Sequence, residues 1–387
     1  MNDKPVITSV QLALMSVGSA LVFPYTFMPI LNAPPANQDV WVVLLVTLVY
    51  IFILNFPILF LMNKFRGMTI NEMSELVLGK FFGKVALIPV ALFSIFCYIA
   101  CMLITAVFIT LYIFPDTPTW ALLIFMVVPV SYAAYKGAGV VSRLSNFIVP
   151  IAILTAALFF IISISNMDFS ILQPVLADST FMEINLGAFL TAARYSEILI
   201  FWVFSYFMIR KSNVNKTYAA AQLIFLISFF LILIPTVTVL GIEYAKRTWN
   251  PYFTFTRQIV FFDFMERMQP FNLMAWFPCA LLKLSIYSYM ASYILSGIFK
   301  AKSHKHFVLP LSAVAFIACL LPIMNKSSTI EILRSDEVFP YIILPAILGI
   351  PVIMFIVYLM RRKKINLILS KRRKNAGDDQ HKAARQP

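Results

Sequence analysis

The sequence predicts an all-α, polytopic membrane protein with about ten transmembrane helices. Of its 387 residues, 61% are hydrophobic and 12% are charged, and the mean hydropathy is +0.86. Soluble domains carry about 25% charged residues, so this composition excludes a soluble globular surface. The hydrophobic residues form runs long enough for helices that cross a hydrocarbon core of about 30 Å. The predicted spans lie near residues 7–29, 40–62, 86–114, 120–135, 144–164, 187–209, 218–242, 272–298, 308–324 and 339–360.

The distribution of basic residues predicts the orientation of these spans. Ten spans put both termini on the same side, and most of the 31 Lys and Arg residues then fall in the N-terminus, the loops on that side and the C-terminal segment. Positive residues favour the cytoplasmic side of a membrane, so we expect both termini to be cytoplasmic. The net charge of +14 arises from these short clusters, and we expect no nucleic-acid partner.

The chain divides into a transmembrane domain, 1–364, and a basic cytoplasmic tail, 365–387. Two basic clusters, Arg361-Arg362-Lys363-Lys364 and Lys371-Arg372-Arg373-Lys374, follow the last span directly. Clusters of this kind bind the anionic lipid of the cytoplasmic leaflet. A regulatory or partner-binding tail is the alternative.

Two segments between spans are predicted to form short helices. The segment from Lys64 to Lys84 alternates apolar and charged residues, which favours a cytoplasmic interfacial helix. The outer segment from Tyr244 to Pro270 interleaves aromatic and charged residues, which is typical of a helix lying on the membrane surface. The first span itself resembles a secretory signal up to Val17, but its apolar character continues beyond Gly18, so we expect a membrane helix.

No combination of residues predicts an enzyme, a cofactor or a metal site. The four cysteines, Cys97, Cys101, Cys279 and Cys319, all lie inside apolar segments, where packing is their expected role. The three histidines lie in cytoplasmic basic segments, away from the membrane interior. Glycine loops that cradle phosphate are missing as well.

The first span is interrupted by small residues. Gly18-Ser19-Ala20 is followed by Pro24, which lacks an N–H and clashes with the preceding turn of a helix. A break here would leave backbone groups unpaired, and the start of a second half-helix would suit a carboxylate. A close helix-packing patch with an ordinary proline kink is the alternative.

The sixth span carries the second interruption, Tyr195-Ser196-Glu197. Glu197 lies among apolar residues, and an ionisable side chain inside the membrane is a candidate for function by default. Lys283, near the middle of the eighth span, is its expected partner, and a purely structural ion pair is the alternative to a working site. Interruptions at equivalent positions of two five-helix halves point to a small-molecule site at the midplane of the membrane.

Together these motifs resemble the spore germinant receptor B-subunit (GerAB-type) family, which is itself similar to the amino acid/polyamine/organocation transporters. The resemblance covers roughly residues 5–364. It rests on the order and spacing of Gly18-Ser19-Ala20, Val141-Ser142-Arg143-Leu144, Leu172-Gln173-Pro174-Val175-Leu176, Tyr195-Ser196-Glu197 and Lys283. The family commonly has a glycine in the sixth-span break, where this chain has Tyr195-Ser196.

The resemblance implies a fold, a location and partners. The fold is a five-plus-five inverted repeat of the leucine-transporter type with discontinuous helices 1 and 6. The protein would lie in the spore inner membrane with its termini on the core side. It would act with an A subunit and a lipoprotein C subunit, and its ligand would be a small-molecule germinant, commonly an amino acid.

These expectations combine into a hypothesis for the site. A small zwitterion would bind between spans one and six, with its carboxylate at Gly18-Ser19-Ala20 and its ammonium near the carbonyls around Tyr195, Ser196 and Glu197. Tyr98, Ser285 and Tyr287 would complete the wall, and Lys283 would stand in for a coupling cation. Two rival interpretations remain open: a proton-coupled amino-acid permease, and a structural scaffold with a vestigial site.

Overall fold

The computed structural model describes residues 6–209, 213–259, 269–321 and 344–371. Within these ranges the protein is built from helices and their connections, so the all-α class is confirmed. The helices are α1 Ser9–Thr26, α2 Val40–Lys64, α3 Ile70–Leu78, α4 Lys80–Tyr112, α5 Thr119–Lys136, α6 Ala138–Ser163, α7 Phe181–Tyr195, α8 Ile198–Phe204, α9 Val214–Leu240, α10 Ile242–Arg247, α11 Pro251–Gln258, α12 Gln269–Ile298, α13 Lys305–Leu320 and α14 Ile350–Met360.

Within the described residues, eight of the predicted spans form helices that are long and apolar enough to cross a membrane. They are α1, α2, α4, α5, α6, the pair α7 and α8, α9, and α12. The apolar helices α13 and α14 are shorter, and residues 322–343, which contain parts of the predicted ninth and tenth spans, lie outside the described residues. The count of ten spans and the inverted repeat therefore stay predictions.

Helix α12 forms the centre of the fold. It packs against α1, α4, α5, α6 and α13, and residues 282–294 are buried without interruption. A helix that is buried on all sides lies in the interior of a large protein. The sequence of α12 thus brings Lys283 into the core rather than to a lipid-facing surface.

The expected discontinuity in span one is wrong, because α1 runs through Gly18, Ser19 and Ala20 without a break. Close packing explains the small residues: a Cβ atom added at Gly18 would lie 2.5 Å from Cγ2 of Val149 on α6. Pro24 is accommodated inside the helix, which ends two residues later. The backbone amides that a break would have exposed are therefore used within α1.

The expected discontinuity in span six is confirmed. Helix α7 ends at Tyr195 and α8 begins at Ile198, with Glu197 in the left-handed conformation at φ 43°. A side chain with a Cβ pays roughly 1–2 kcal/mol for this conformation. Neighbouring helices must hold Glu197 in place, and the contacts that do so make up the site described below.

The two predicted helices between spans have different outcomes. The one predicted on the cytoplasmic side is α3, which begins with a capping box formed by Thr69 and Glu72 and buries its apolar side. The outer one, α11, does not lie on the membrane surface, because Tyr252, Phe253 and Phe255 are buried. These aromatic rings pack into the helical core instead, where Tyr252 meets Tyr25 of α1 edge to face.

Two other predicted segments lie partly or wholly beyond the described ranges. The outer segment continues through residues 260–268, and the basic tail continues beyond residue 371; neither stretch is described. Residues 362–371 form a helix that crosses the predicted boundary between 364 and 365.

Candidate functional site

The carboxylate of Glu197 is the centre of a buried polar cluster. One of its oxygens, Oε1, accepts hydrogen bonds from Lys283 Nζ at 2.8 Å and from Ser19 Oγ at 2.9 Å. The other oxygen, Oε2, accepts a hydrogen bond from the Tyr287 hydroxyl at 2.8 Å. The side chains of Glu197 and Lys283 are each only 3% exposed. Both carboxylate oxygens are thus satisfied by groups from α1 and α12.

Lys283, the positively charged partner of Glu197, connects the same helices. Besides its ion pair, its ammonium group donates a hydrogen bond to the backbone carbonyl of Ser19 at 3.0 Å. It also lies 4.0 Å from the centre of the Phe23 ring, a favourable position for a cation over an aromatic face. A buried ion pair is tolerated only when further hydrogen bonds satisfy both partners, and this one meets that condition.

The backbone at the break is held from its other side by α2 and α9. The carbonyl of Ser196 accepts hydrogen bonds from the Tyr218 hydroxyl at 2.9 Å and from Gln222 Nε2 at 3.0 Å. Asn55 Nδ2 in turn donates to the Tyr218 hydroxyl at 3.0 Å. This carbonyl, which the hypothesis above offered to a ligand ammonium, therefore already has two donors.

Sequence reasoning missed Asn55, Tyr218 and Gln222. A signal for two of them was present, since Asn55 and Gln222 are polar residues inside the predicted spans 40–62 and 218–242. Buried polar side chains in a membrane interior are costly unless they have partners. Their partner, the broken helix, is distant in the sequence and could not be assigned.

A small cavity adjoins the ion pair between α1, α4 and α12. Its volume is about 30 Å³, which is room for about one water molecule. Lys283 is the only charged residue among those that line it, and the other lining residues are Val22, Phe23, Thr26, Phe27, Phe96, Cys97, Ala100, Cys101 and Ile104. A ligand larger than water needs α1, α4 and α12 to move apart.

The structure brings together only some of the residues predicted for the site. Ser19, Glu197, Lys283 and Tyr287 are in direct contact. Tyr195 adjoins this cluster through Phe23: the two rings pack edge to face with their centres 5.8 Å apart.

Other predicted wall residues lie outside this cluster. Tyr98 turns toward α13, where its hydroxyl is 3.4 Å from Ser312 Oγ. Ser285 donates to the carbonyl of Leu281 within its own helix. Gly18 serves helix packing, as described above, and the cavity wall of α4 comes from Cys97 and Cys101 instead of Tyr98.

The membrane-length helices of the described residues, and the buried ion pair at the broken helix, indicate a multi-pass membrane protein. Comparison with known families supports this class and makes it specific. The family described as spore germination protein (Spore_permease) matches residues 6–328, and the chain belongs to that family. This membership confirms the resemblance drawn from the sequence.

One relative matches over most of its length. The chain is 22% identical over 331 residues to "Spore germination protein YndE" of Bacillus subtilis (strain 168), and the match covers 84% of this chain and 89% of the relative. The family match, over residues 6–328, extends through the spans that carry Ser19, Glu197 and Lys283. A role connected with spore germination, as a membrane permease or receptor, follows from the family.

Proposed function

We propose that this protein is the germinant-sensing subunit of a spore germination receptor, and that it binds an amino acid at the Glu197–Lys283 pair. The observation that carries the proposal is the buried ion pair itself, which joins the break between α7 and α8 to α12 and lines the adjoining cavity through Lys283. An ionisable group inside a membrane protein is a candidate for a ligand or ion site by default.

The two charges complement a zwitterion. The carboxylate of an amino acid would bind the ammonium of Lys283, which faces the cavity, and its ammonium would bind the carboxylate of Glu197. One internal ion pair would thereby be replaced by two ion pairs with the ligand, so neither buried charge is left unpaired. This arrangement replaces the docking of the ligand carboxylate at Gly18-Ser19-Ala20, since α1 is continuous there.

The walls of the cavity favour a ligand with an apolar side chain. Phe23, Phe27 and Phe96 are among the lining residues, together with aliphatic residues and two cysteines. A polar ligand side chain would lose its hydration without gaining a partner among these groups. We therefore expect small apolar amino acids to bind more tightly than charged ones.

Ligand binding would be transmitted by separating the helices that the ion pair joins. Ser19, Glu197 and Lys283 tie α1, the α7–α8 break and α12 to one another. An amino acid between Glu197 and Lys283 favours the packing in which these helices are further apart. A ligand that bound both packings equally would cause no change. The A subunit and the lipoprotein C subunit would respond to the new packing in the spore inner membrane, with the termini of this chain on the core side.

A proton-coupled amino-acid permease is the second candidate. Glu197 supports it, because carboxylates buried inside transmembrane segments mark substrate and ion pathways. Sensor and permease need the same binding site, and they differ in whether the ligand crosses the membrane.

Two assays on purified protein test the proposal and separate these candidates. Binding of radiolabelled amino acids, sugars and nucleosides to protein in nanodiscs identifies the ligand. Glu197→Gln and Lys283→Met should each weaken binding at least tenfold, whereas Lys136→Met, an exposed lysine at the end of α5, should leave it unchanged. Equal binding by all variants would refute the site.

Uptake into proteoliposomes then decides between sensing and transport. A sensor binds the amino acid without accumulating it when the partner subunits are absent. Sustained accumulation against a gradient, driven by an imposed proton gradient, would establish the permease instead.

A further inference from the structure

A groove on the outside of the helical bundle, between α2 and α9, has a different chemistry from the site above. Its volume is about 620 Å³. The lining residues are Phe52, Phe56, Leu59, Phe60, Asn63, Lys64, Asn215, Lys216 and Ala219. The groove is apolar over most of its length and carries two lysines and two asparagines at one end.

The apolar wall is a stripe of aromatic side chains that runs slightly inclined along α2. Phe52, Phe56, Phe60 and Lys64 follow each other at intervals of four residues, so they share one face of the helix. Twelve residues of helix extend about 18 Å, which is close to the thickness of one leaflet of the hydrocarbon core, about 15 Å. The stripe therefore leads from the middle of the membrane to its surface.

The stripe packs against α14 and also has an exposed surface. Phe355 of α14 contacts Phe56 and Phe60 with ring centres 6.0 and 5.2 Å apart. Phe56 is nevertheless 57% exposed. On the opposite wall the small side chain of Ala219 leaves room in the groove. This geometry fits a flexible hydrocarbon chain lying along α2.

The polar end presents positive charge without a compensating acid. Lys64 is the last residue of α2 and Lys216 lies in the first turn of α9. Neither has an ion-pair partner among the described residues, and no carboxylate lines the groove. The N-terminus of α9, a helix of 27 residues, adds its own partial positive charge. Together these groups suit one phosphate.

We propose that this groove binds an anionic phospholipid of the cytoplasmic leaflet. Its phosphate lies between Lys64 and Lys216, and one acyl chain lies along Phe60, Phe56 and Phe52. The proposed side of the membrane follows from the distribution of basic residues, which places the ends of α2 and α9 at Lys64 and Lys216 in the cytoplasm. Basic pockets between transmembrane helices on this side are suited to anionic headgroups.

Occupancy of this groove would act on the central site through the helices they share. Asn55 of α2 and Tyr218 of α9 form the hydrogen-bonded chain that ends at the carbonyl of Ser196. A lipid that holds α2 against α9 therefore supports the backbone next to Glu197. The proposal of a lipid site does not rest on which ligand the central site binds.

The proposal can be tested by native mass spectrometry of the full-length protein. The protein is released from detergent in the presence of phosphatidylglycerol or phosphatidylcholine. We expect the wild type to retain one phosphatidylglycerol in preference to phosphatidylcholine. The Lys64→Gln/Lys216→Gln variant should bind phosphatidylglycerol about 30-fold more weakly, since each basic residue near an anionic surface contributes about fivefold. The matched variant Lys80→Gln/Lys302→Gln removes two exposed lysines of the same predicted side and should bind like the wild type.

Three results would overturn the proposal: unchanged binding by Lys64→Gln/Lys216→Gln, an equal loss in the matched variant, or equal retention of phosphatidylcholine. A photoreactive benzoylphenylalanine at position 56 provides a second readout in cells. It should yield an adduct with the mass of one phospholipid. An adduct with another polypeptide would show instead that the groove holds a protein partner, and would equally refute the lipid site.

Discussion

Replacement of Lys283 by methionine is the most informative single change for the buried ion pair. Methionine fills a similar volume without a charge, so the variant removes the ammonium group with little change in packing. The carboxylate of Glu197 then keeps the hydroxyls of Ser19 and Tyr287 but has no opposite charge. Because its side chain is only 3% exposed, water cannot compensate for the loss.

The magnitude follows from this burial. Removing one partner of a buried ion pair costs about 3–5 kcal/mol, since an uncompensated charge remains. With an unfolding entropy of about 2.1 cal/mol/K per residue, a chain of this length should lose about 5 °C in Tm. The double variant Glu197→Gln/Lys283→Met removes both charges and should recover more than half of that loss, because no unpaired charge is left inside.

Thermal unfolding in detergent measures the effect, and the five tryptophans of the chain supply the fluorescence signal. Lys136→Met is the control, because Lys136 is exposed, and its Tm should stay close to that of the wild type. A Tm of Lys283→Met equal to that of the wild type would refute the claim that the ion pair holds these helices together. So would a double variant whose loss equals the sum of the single losses.

Three further predictions concern the surroundings of the pair. Gly18→Ala should destabilise the protein by about 1–3 kcal/mol through overpacking. Gly139→Ala should not, because a Cβ added there would meet Cγ2 of Val6 at an ordinary van der Waals distance of 3.4 Å. Equal Tm values would contradict the packing role of α1. Cys97 and Cys101 should react slowly with a methanethiosulfonate reagent. The proposed amino-acid ligand should accelerate this reaction, because its binding opens the cavity. A reaction rate that does not depend on the ligand would contradict that opening. Tyr218→Phe should cost about 1–3 kcal/mol, because it removes one of the two donors to the Ser196 carbonyl and leaves one N–H of Asn55 without its acceptor. An unchanged Tm would show that the break is held by other contacts.

The broken sixth span was predictable from the sequence because its signal is chemical and local. An acidic residue inside an apolar run has few explanations, and a lysine in the middle of another span is its natural partner. Glu197 and Lys283 could therefore be paired before their 2.8 Å contact was known. The family followed from the order of several such motifs along the chain.

The first span shows why the same reasoning failed there. Gly18, Ser19 and Ala20 permit both a break and close packing, and the choice depends on side chains from other helices. Val149 and Leu282 occupy the space that a side chain at position 18 would need. Both residues are more than a hundred positions away, so no local pattern could have identified them.

The rotation of each helix about its own axis was the second property that could not be predicted from the sequence. Tyr98 was expected at the cavity, but Cys97 and Cys101, which share one face of α4, line it instead. Tyr98 is rotated by about 100° from Cys97 and faces α13, where it meets Ser312. Uniformly apolar helices give no periodic signal from which such a rotation can be read.

A structure of the protein with the proposed amino-acid ligand bound would test the central claim most directly. In the present structure Lys283 Nζ and Glu197 Oε1 are 2.8 Å apart. With the ligand bound, these atoms should no longer be in contact, the ligand carboxylate should bind Lys283, and its ammonium should bind Glu197. A ligand bound elsewhere, with the 2.8 Å contact intact, would contradict the account.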